Sequence, residues 1–408
     1  MADASSLALR AFGCGFRGPP DEGMVRMRGV ALVVGFLAAL AHGLGAQEVI
    51  PPLSLSPGPR FEIGSGGLEL HRVQGAAFLP GGNLAIADGG NHRILLFSPN
   101  GELIRKLGRQ GDGPGEFRFL AGLYSAGDTL VAYDAMLARV SLWEQSGSPI
   151  RTVNLPKVDD RHVSVVGVLS SDQYVATSTV LRGMESRAGL YLDSARVLRV
   201  EGEGHGVAEL ARVAWEYTYL HLRSEGEIHS GTSYATPFLG RTQVAASPGA
   251  VVIVPRGGAS VEVLDGAGHR IGGIRLPVEP LPLTRELIGV YVDSMVAGAQ
   301  GSGGGFPGAE ARIRRVFGRS FPLPRNEWAP AVTDLRTAGT LLWIRHLASP
   351  GEPLATWFLA DPREPRLVGS LRLPREWGIL GGSDREVVIL RKDEDGVEHA
   401  EVFELERH

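Results

Sequence analysis

The chain has 408 residues, and its 56 Gly and 26 Pro make up about a fifth of it, too turn-rich for a helical protein but below the level of low-complexity disorder. Lys+Arg 41 against Asp+Glu 45 leave a net charge of -4, which lacks the positive field of non-specific nucleic-acid binding and excludes nucleic acid as a partner. Only Lys106, Lys157 and Lys392 are lysines, so the basic chemistry of this protein is arginine chemistry.

From Met24 the chain reads MVRMRGVALVVGFLAALAHGLGAQ, with Arg26 and Arg28 ahead of an apolar run from Gly29 to Leu44. That layout predicts a secretory signal peptide with cleavage near Ala46. The run is shorter than the 18 or more apolar residues of a spanning helix, so no stable membrane span is expected after cleavage. The sole cysteine, Cys14, lies upstream, so a chain starting at Gln47 has no disulfide, no thiolate metal site and no cysteine to carry a lipid. The expected address is the periplasm or the exterior. The expected organisation is an N-terminal extension and signal peptide over 1–46, a linker over 47–59, and one domain over 60–408.

Residues 73–108 split into four short apolar runs separated by Pro-Gly-Gly, Gly-Gly-Asn and Pro-Asn-Gly, which predicts four strands joined by tight turns. The plan returns in LAGLYSA (120–126), TLVAYDA (129–135), RVSLWE (139–144) and PIRTVNLP (149–156). Second strands begin near Asn83, Thr129, Gln173, Ala250, Thr340 and Glu386, with spacings of 46, 44, 77, 90 and 46. Three spacings agree on a blade-sized period and two are inflated, so the expected fold is all-β: a six-bladed β-propeller of four-stranded blades with two insertions.

The insertion at 205–240, carrying WEYTYLHL, reads as a hairpin; that at 282–326 reads as helical and lies between blades 4 and 5. In the latter, Thr284 is a helix cap, and Leu287, Ile288, Tyr291, Met295 and Val296 form one apolar side. A second, shorter helix is expected to turn Ile313, Val316 and Phe317 inward. The last blade runs out of chain one strand short, so Phe61 to Gly64 is expected to pair with 398–406 and close the ring, removing two open sheet edges.

The first blade, NLAIADGGNHRILLFSPNGELIRKLGRQGDGPGEF, resembles the NHL repeat. Asp88, Asn91, His92 and Arg93 match its core and Gly111, Gly113, Gly115 and Phe117 its tail, over residues 73–117. The second blade keeps Asp134 and Arg139 without the Asn-His pair, and the later blades keep the strand rhythm alone. The resemblance implies a six-bladed propeller. It leaves function open, because such rings host binding modules, lyases and lactonases.

Asp88, Asn91 and Arg93 read as a structural turn, an Asx residue and an arginine satisfying local carbonyls and carboxylates. Among the innermost strands Asp334 is the one residue whose charge could bind a cation, with Gln74 and Gln243 able to assist. One carboxylate is a poor Ca²⁺ cage, so a metal-dependent lactonase or lyase is the alternative rather than the leading expectation. The 11 histidines form no zinc pattern, and GSGGG at 301–305 fits neither a nucleophile elbow nor a phosphate loop.

An arginine precedes each inner strand: Arg72, Arg118, Arg161, Arg241, Arg325 and Arg375, accompanied by Phe117, His162, Trp328 and Trp377. Guanidinium forks suit carboxylate, phosphate or sulfate, and aromatic rings suit a sugar or peptide. Arg312, Arg314, Arg315 and Arg319 on the helical insertion read as a solvated face, with partner docking as the second option. The leading expectation is an exported, non-catalytic binding module for an anionic, peptide, glycan or protein ligand. It carries no cofactor, no catalytic residue and no metal, Ca²⁺ at Asp334 belonging to the alternative.

Overall fold

Apolar alternation broken by glycine-rich turns folds the chain into successive antiparallel meanders. The computed structural model describes residues 50–180, 189–204, 206–225, 228–235, 239–301, 310–311, 313–314 and 328–408. The signal-like segment, Cys14, Arg312, Arg315, Val316, Phe317, Arg319 and Arg325 lie outside the described residues.

Strands β1 (Pro52–Leu55) and β2 (Phe61–Ile63) come first. The first meander is β3 (Val73–Phe78), β4 (Leu84–Asp88), β5 (Arg93–Phe97) and β6 (Leu103–Leu107). The second is β7 (Leu120–Ala126), β8 (Thr129–Asp134), β9 (Arg139–Glu144) and β10 (Pro149–Asn154), followed by a small hairpin of β11 (Lys157–Val158) and β12 (Arg161–His162). Next come β13 (Ser164–Ser170), β14 (Gln173–Val180), β15 (Gly189–Glu201), β16 (Val207–Glu225) and β17 (Ile228–Ala235). They are followed by β18 (Gln243–Ser247), β19 (Ala250–Val254), β20 (Ser260–Leu264) and β21 (Arg270–Arg275). After helix α1 (Arg285–Gly301) come β22 (Val332–Ala338), β23 (Leu341–His346), β24 (Leu354–Asp361) and β25 (Arg366–Pro374). The chain ends with β26 (Gly378–Gly382), β27 (Glu386–Lys392) and β28 (Glu398–Arg407).

The first strand of each meander packs on the next: β3 on β7, β7 on β13, β13 on β18, β18 on β22, β22 on β26, and β26 back on β3. The molecule is therefore an all-β propeller. Small residues let these strands crowd the axis. A Cβ at Gly167 would lie 2.3 Å from the Ala246 carbonyl oxygen, and one at Gly381 2.1 Å from that of Ala76. The space left among Ala76, Tyr124, Val168, Ala246, Thr337 and Gly382 is about 10 Å³, room for roughly one water. Burial there pushes the Tyr124 phenol up.

Between neighbouring sheets lie apolar layers, such as Leu96, Leu123, Leu130 and Trp143 between the first two. Each fully buried side chain of this size contributes about 1.5–3 kcal/mol.

The ends of the chain meet. Phe61 pairs with Val402, Glu62 with Glu401 and Ile63 with Ala400, in the segment where the sequence places the closing strand. The span 47–59, expected as a linker, adds β1, which runs antiparallel to β28 and parallel to β25. Three prolines around PLSL obscure this strand in the sequence. Pro52 nevertheless sits at its first position, where proline is tolerated, and Leu53 is buried among Leu371 and Phe403.

The third set of strands also differs from expectation. Strands β15 and β16 are far longer than those of the first two meanders, so β15, β16 and β17 form a three-stranded arm rather than the lone hairpin expected at 205–240. In α1 the Leu287 amide donates to Thr284 Oγ1 at 3.2 Å, as a cap requires. Ile288, Val292 and Val296 are buried at i, i+4, i+8 with Leu287 beside them, which leaves Tyr291 on the flank and 37% exposed instead of inward. Ile313 packs with Leu283 against Ile288 and Val292. Among the described residues no helix is long and apolar enough to cross a membrane.

Candidate functional site

Strand β4 ends in Asp88, which is wholly buried. Its carboxylate accepts the His71 amide at 2.9 Å, Arg93 Nε at 2.8 Å and the Asn91 amide nitrogen at 2.9 and 3.0 Å. Asn91 and Arg93 also donate to the Glu69 carbonyl, and His92 takes the left-handed turn at φ 55°. The donors of Asn91 and Arg93 are spent on Asp88 and the Glu69 carbonyl, tying down the loop that leads into β3.

Asp134 does the same one meander later, accepting the amides of Arg118, Phe119, Met136 and Leu137 at 2.7–3.1 Å. Arg139 donates to the carbonyls of Asp112, Gly113 and Glu116. Glu116 accepts the Gly113 amide and Arg109 Nε, which hold its carboxyl below the usual range. Phe117 is buried against Trp143, ring centroids 5.8 Å apart.

The arginines that precede the inner strands do not form one ring of free cations. Arg118 is ion-paired to Asp112 on the surface, and that partner holds its guanidinium above the usual range. Arg161 and His162 sit exposed on the β11–β12 hairpin, whose turn residues Asp159 and Asp160 have φ of 52° and 59°. Arg72 is exposed, also at positive φ. Trp377 stacks on Phe403 and packs against the core. Trp328 is 51% exposed beside Pro282. Arg325 lies outside the described residues.

Two members of the set come together. Arg241 and Arg375 line a cavity of about 700 Å³ with Arg345, Glu216, Gln243, Asp334 and His346. Its other lining residues include Leu283, Leu287, Val290 and Tyr291 from α1 and its approach, and Pro330 and Leu347 from the loops around β22 and β23. Arg241 lies over the Trp215 ring at 5.5 Å and bridges Glu216 through the backbone. Arg375 donates to the Ser349 carbonyl at 3.3 Å and receives Arg345 at its own carbonyl.

Arg345 lies 5.4 Å over the Trp357 ring. Burial pushes its guanidinium down, and the repulsion of Arg375 and Arg336 adds to that while Asp334 opposes it. Burial likewise raises the Glu216 carboxyl, which Arg241 opposes. The cavity thus holds under-compensated positive charge beside an apolar wall.

Asp334 is the residue on which the metal alternative rests. Its carboxylate accepts Arg336 Nε at 3.0 Å and the Leu335 amide at 2.9 Å, and Arg336 reaches across the axis to the Gln74 carbonyl. Gln243 spends its amide on the Val332 carbonyl at 2.9 Å. A guanidinium stands where a cation would have to go, so this donor set does not fit Ca²⁺. Among the described residues no group of three His, Asp or Glu side chains is placed to hold a metal.

Arg345, Glu216 and the α1 residues are absent from the sequence-level candidates. Arg345 sits at the end of the second strand of its meander rather than before the first, so the positional rule that selected the other arginines passes over it. The one signal available was a charge inside the apolar run TLLWIRHL.

The family model described as a 6-bladed beta-propeller, DUF5128, matches residues 75–176. No curated protein matches the chain. Among solved structures, a candidate exported protein of Bacteroides fragilis aligns at 13% identity and TM-score 0.48, over 89% of this chain and 98% of its own. A DUF4221 family member from Bacteroides vulgatus aligns at 10% identity and TM-score 0.44, over 88% and 100%. Virginiamycin B lyase from Staphylococcus aureus aligns at 11% identity and TM-score 0.38, over 86% and 99%.

Proposed function

We propose that the protein is an exported, non-catalytic six-bladed propeller that binds a carboxylate-bearing ligand in the cavity beside α1. The strand period near 45 residues and the family match over 75–176 support six blades, with an NHL-like first blade and α1 as part of an insertion between blades 4 and 5. The charged, apolar, small-residue succession over 24–46 supports export.

The observation that carries the binding role is the convergence of Arg241, Arg345 and Arg375 on one cavity, with Arg345 desolvated among like charges. A bound carboxylate relieves that repulsion and supplies the acceptor that a guanidinium fork fits bidentately. The volume lies within the range of small-molecule sites. Cavity arginines of this kind recruit a ligand without any nucleophile or metal beside them.

Calorimetric titration of the full chain with benzoate tests this reading. Arg345→Met and Arg375→Met are each expected to weaken binding about tenfold or more, the loss of a charged hydrogen bond. Arg118→Glu, away from the cavity, leaves it unchanged. Equal benzoate affinity in Arg345→Met and the parent overturns the proposal.

A further inference from the structure

We infer that the ligand is an amphipathic monocarboxylate, its head held by Arg345 and Arg375 and its apolar tail laid along α1; this rests on the carboxylate reading above and narrows it. The cavity is lined by two kinds of surface from different elements. The guanidiniums come from the loop leading into β18, from β23 and from the loop between β25 and β26, whereas Leu283, Leu287, Val290 and Tyr291 come from α1 and the turn before it.

Val290 is 36% and Tyr291 37% exposed at the rim of this concave site. An inorganic anion would leave that wall in water and gain nothing from it, since apolar burial requires apolar area on the ligand. Among the described lining residues a glycan would meet one phenol, Tyr291, and one imidazole, His346, little stacking surface for a ring ligand.

The charges set the head group. Three guanidiniums share the lining with two carboxylates, Glu216 and the Asp334 that is paired with Arg336. A second negative charge on the ligand would meet these carboxylates and is selected against. An apolar tail meets no such penalty along α1.

The test is titration of the full chain with butanoate, hexanoate, octanoate and decanoate below their micellar concentrations, with 1-octanol as the headless control. Affinity is expected to rise about two- to fourfold per added methylene. The headless control should bind at least tenfold more weakly than octanoate. Val290→Gln, on the helix surface, should flatten the chain-length dependence. If benzoate or butanoate binds but affinity ignores chain length, the tail assignment falls and the carboxylate reading survives. If octanol binds as tightly as octanoate, or no carboxylate binds at all, both fall.

Discussion

The first two meanders and the region around α1 use the same residue types to opposite ends. In the former, Asp88 and Asp134 are buried and accept several local donors, Arg93 and Arg139 donate to a carboxylate and to carbonyls, and Phe117 fills the space beside Trp143. In the latter, the arm of β15 to β17, helix α1 and the loop after β23 hold the walls apart, and Arg345 is desolvated beside Arg375 and Arg336. In the regularly spaced meanders these side chains are tied to their neighbours, whereas around the departures from the period they line a cavity.

The largest effect should come from breaking what both regions depend on, the seam. Deleting residues 47–66 removes β1 and β2, exposes the edge of β28 that faces away from β27 together with the edge of β25, and opens the ring. Loss of cooperative urea unfolding is expected, and a truncated chain with the parent midpoint would refute the closure.

Next is Asp88→Ala, which strands Arg93, Asn91 and the His71 amide around a missing buried carboxylate. A loss of about 3–5 kcal/mol is expected from the denaturant midpoint.

Arg345→Met sharpens the contrast. It removes an uncomfortable cation, so stability should stay within about 1 kcal/mol of the parent even though carboxylate binding is lost. A large destabilisation would place Arg345 with the structural arginines instead.

The smallest effect is pH-dependent. His399 stands between Asp393, 3.1 Å from Nε2, and Glu62 of β2, 2.8 Å from Nδ1, beside the backbone of Gly64. The hydrogen bond to Asp393, then that to Glu62, holds its pKa above the ordinary value while burial opposes them. Because the folded value is the higher one, the stabilisation is complete below about pH 6.5 and disappears as pH rises through the folded value. Asp393 is held low chiefly by the same histidine, so its share is lost on the acid side instead. His399→Gln should therefore narrow the difference in unfolding free energy between pH 6 and pH 9, read from denaturant midpoints, by less than about 1 kcal/mol for so exposed a pair of carboxylates.

How far the sequence carries can be followed residue by residue. Asp88, Asn91 and Arg93 are legible because turn chemistry is local: the side chains answer amides within a few dozen residues. Thr284 as a helix cap is legible for the same reason, and Tyr291 is misplaced because one residue of helix phase, about 100°, separates a buried stripe from its flank. Strand β1 is hidden because its partners, β25 and β28, lie more than 300 residues away and its own signal is four residues among prolines.

The sequence by itself determined the all-β repeat, the closing strand, the crowded axis and the arginine-only basic chemistry, since period, alternation and small-residue content act through nearest neighbours along the chain and across adjacent strands. Only the tertiary structure decided which arginines matter. Whether a guanidinium is neutralised, as Arg118 is by Asp112, or left desolvated among its own kind, as Arg345 is, depends on side chains that meet across sheets and insertions, and charge interactions are set by distance and burial in space rather than by order in the chain.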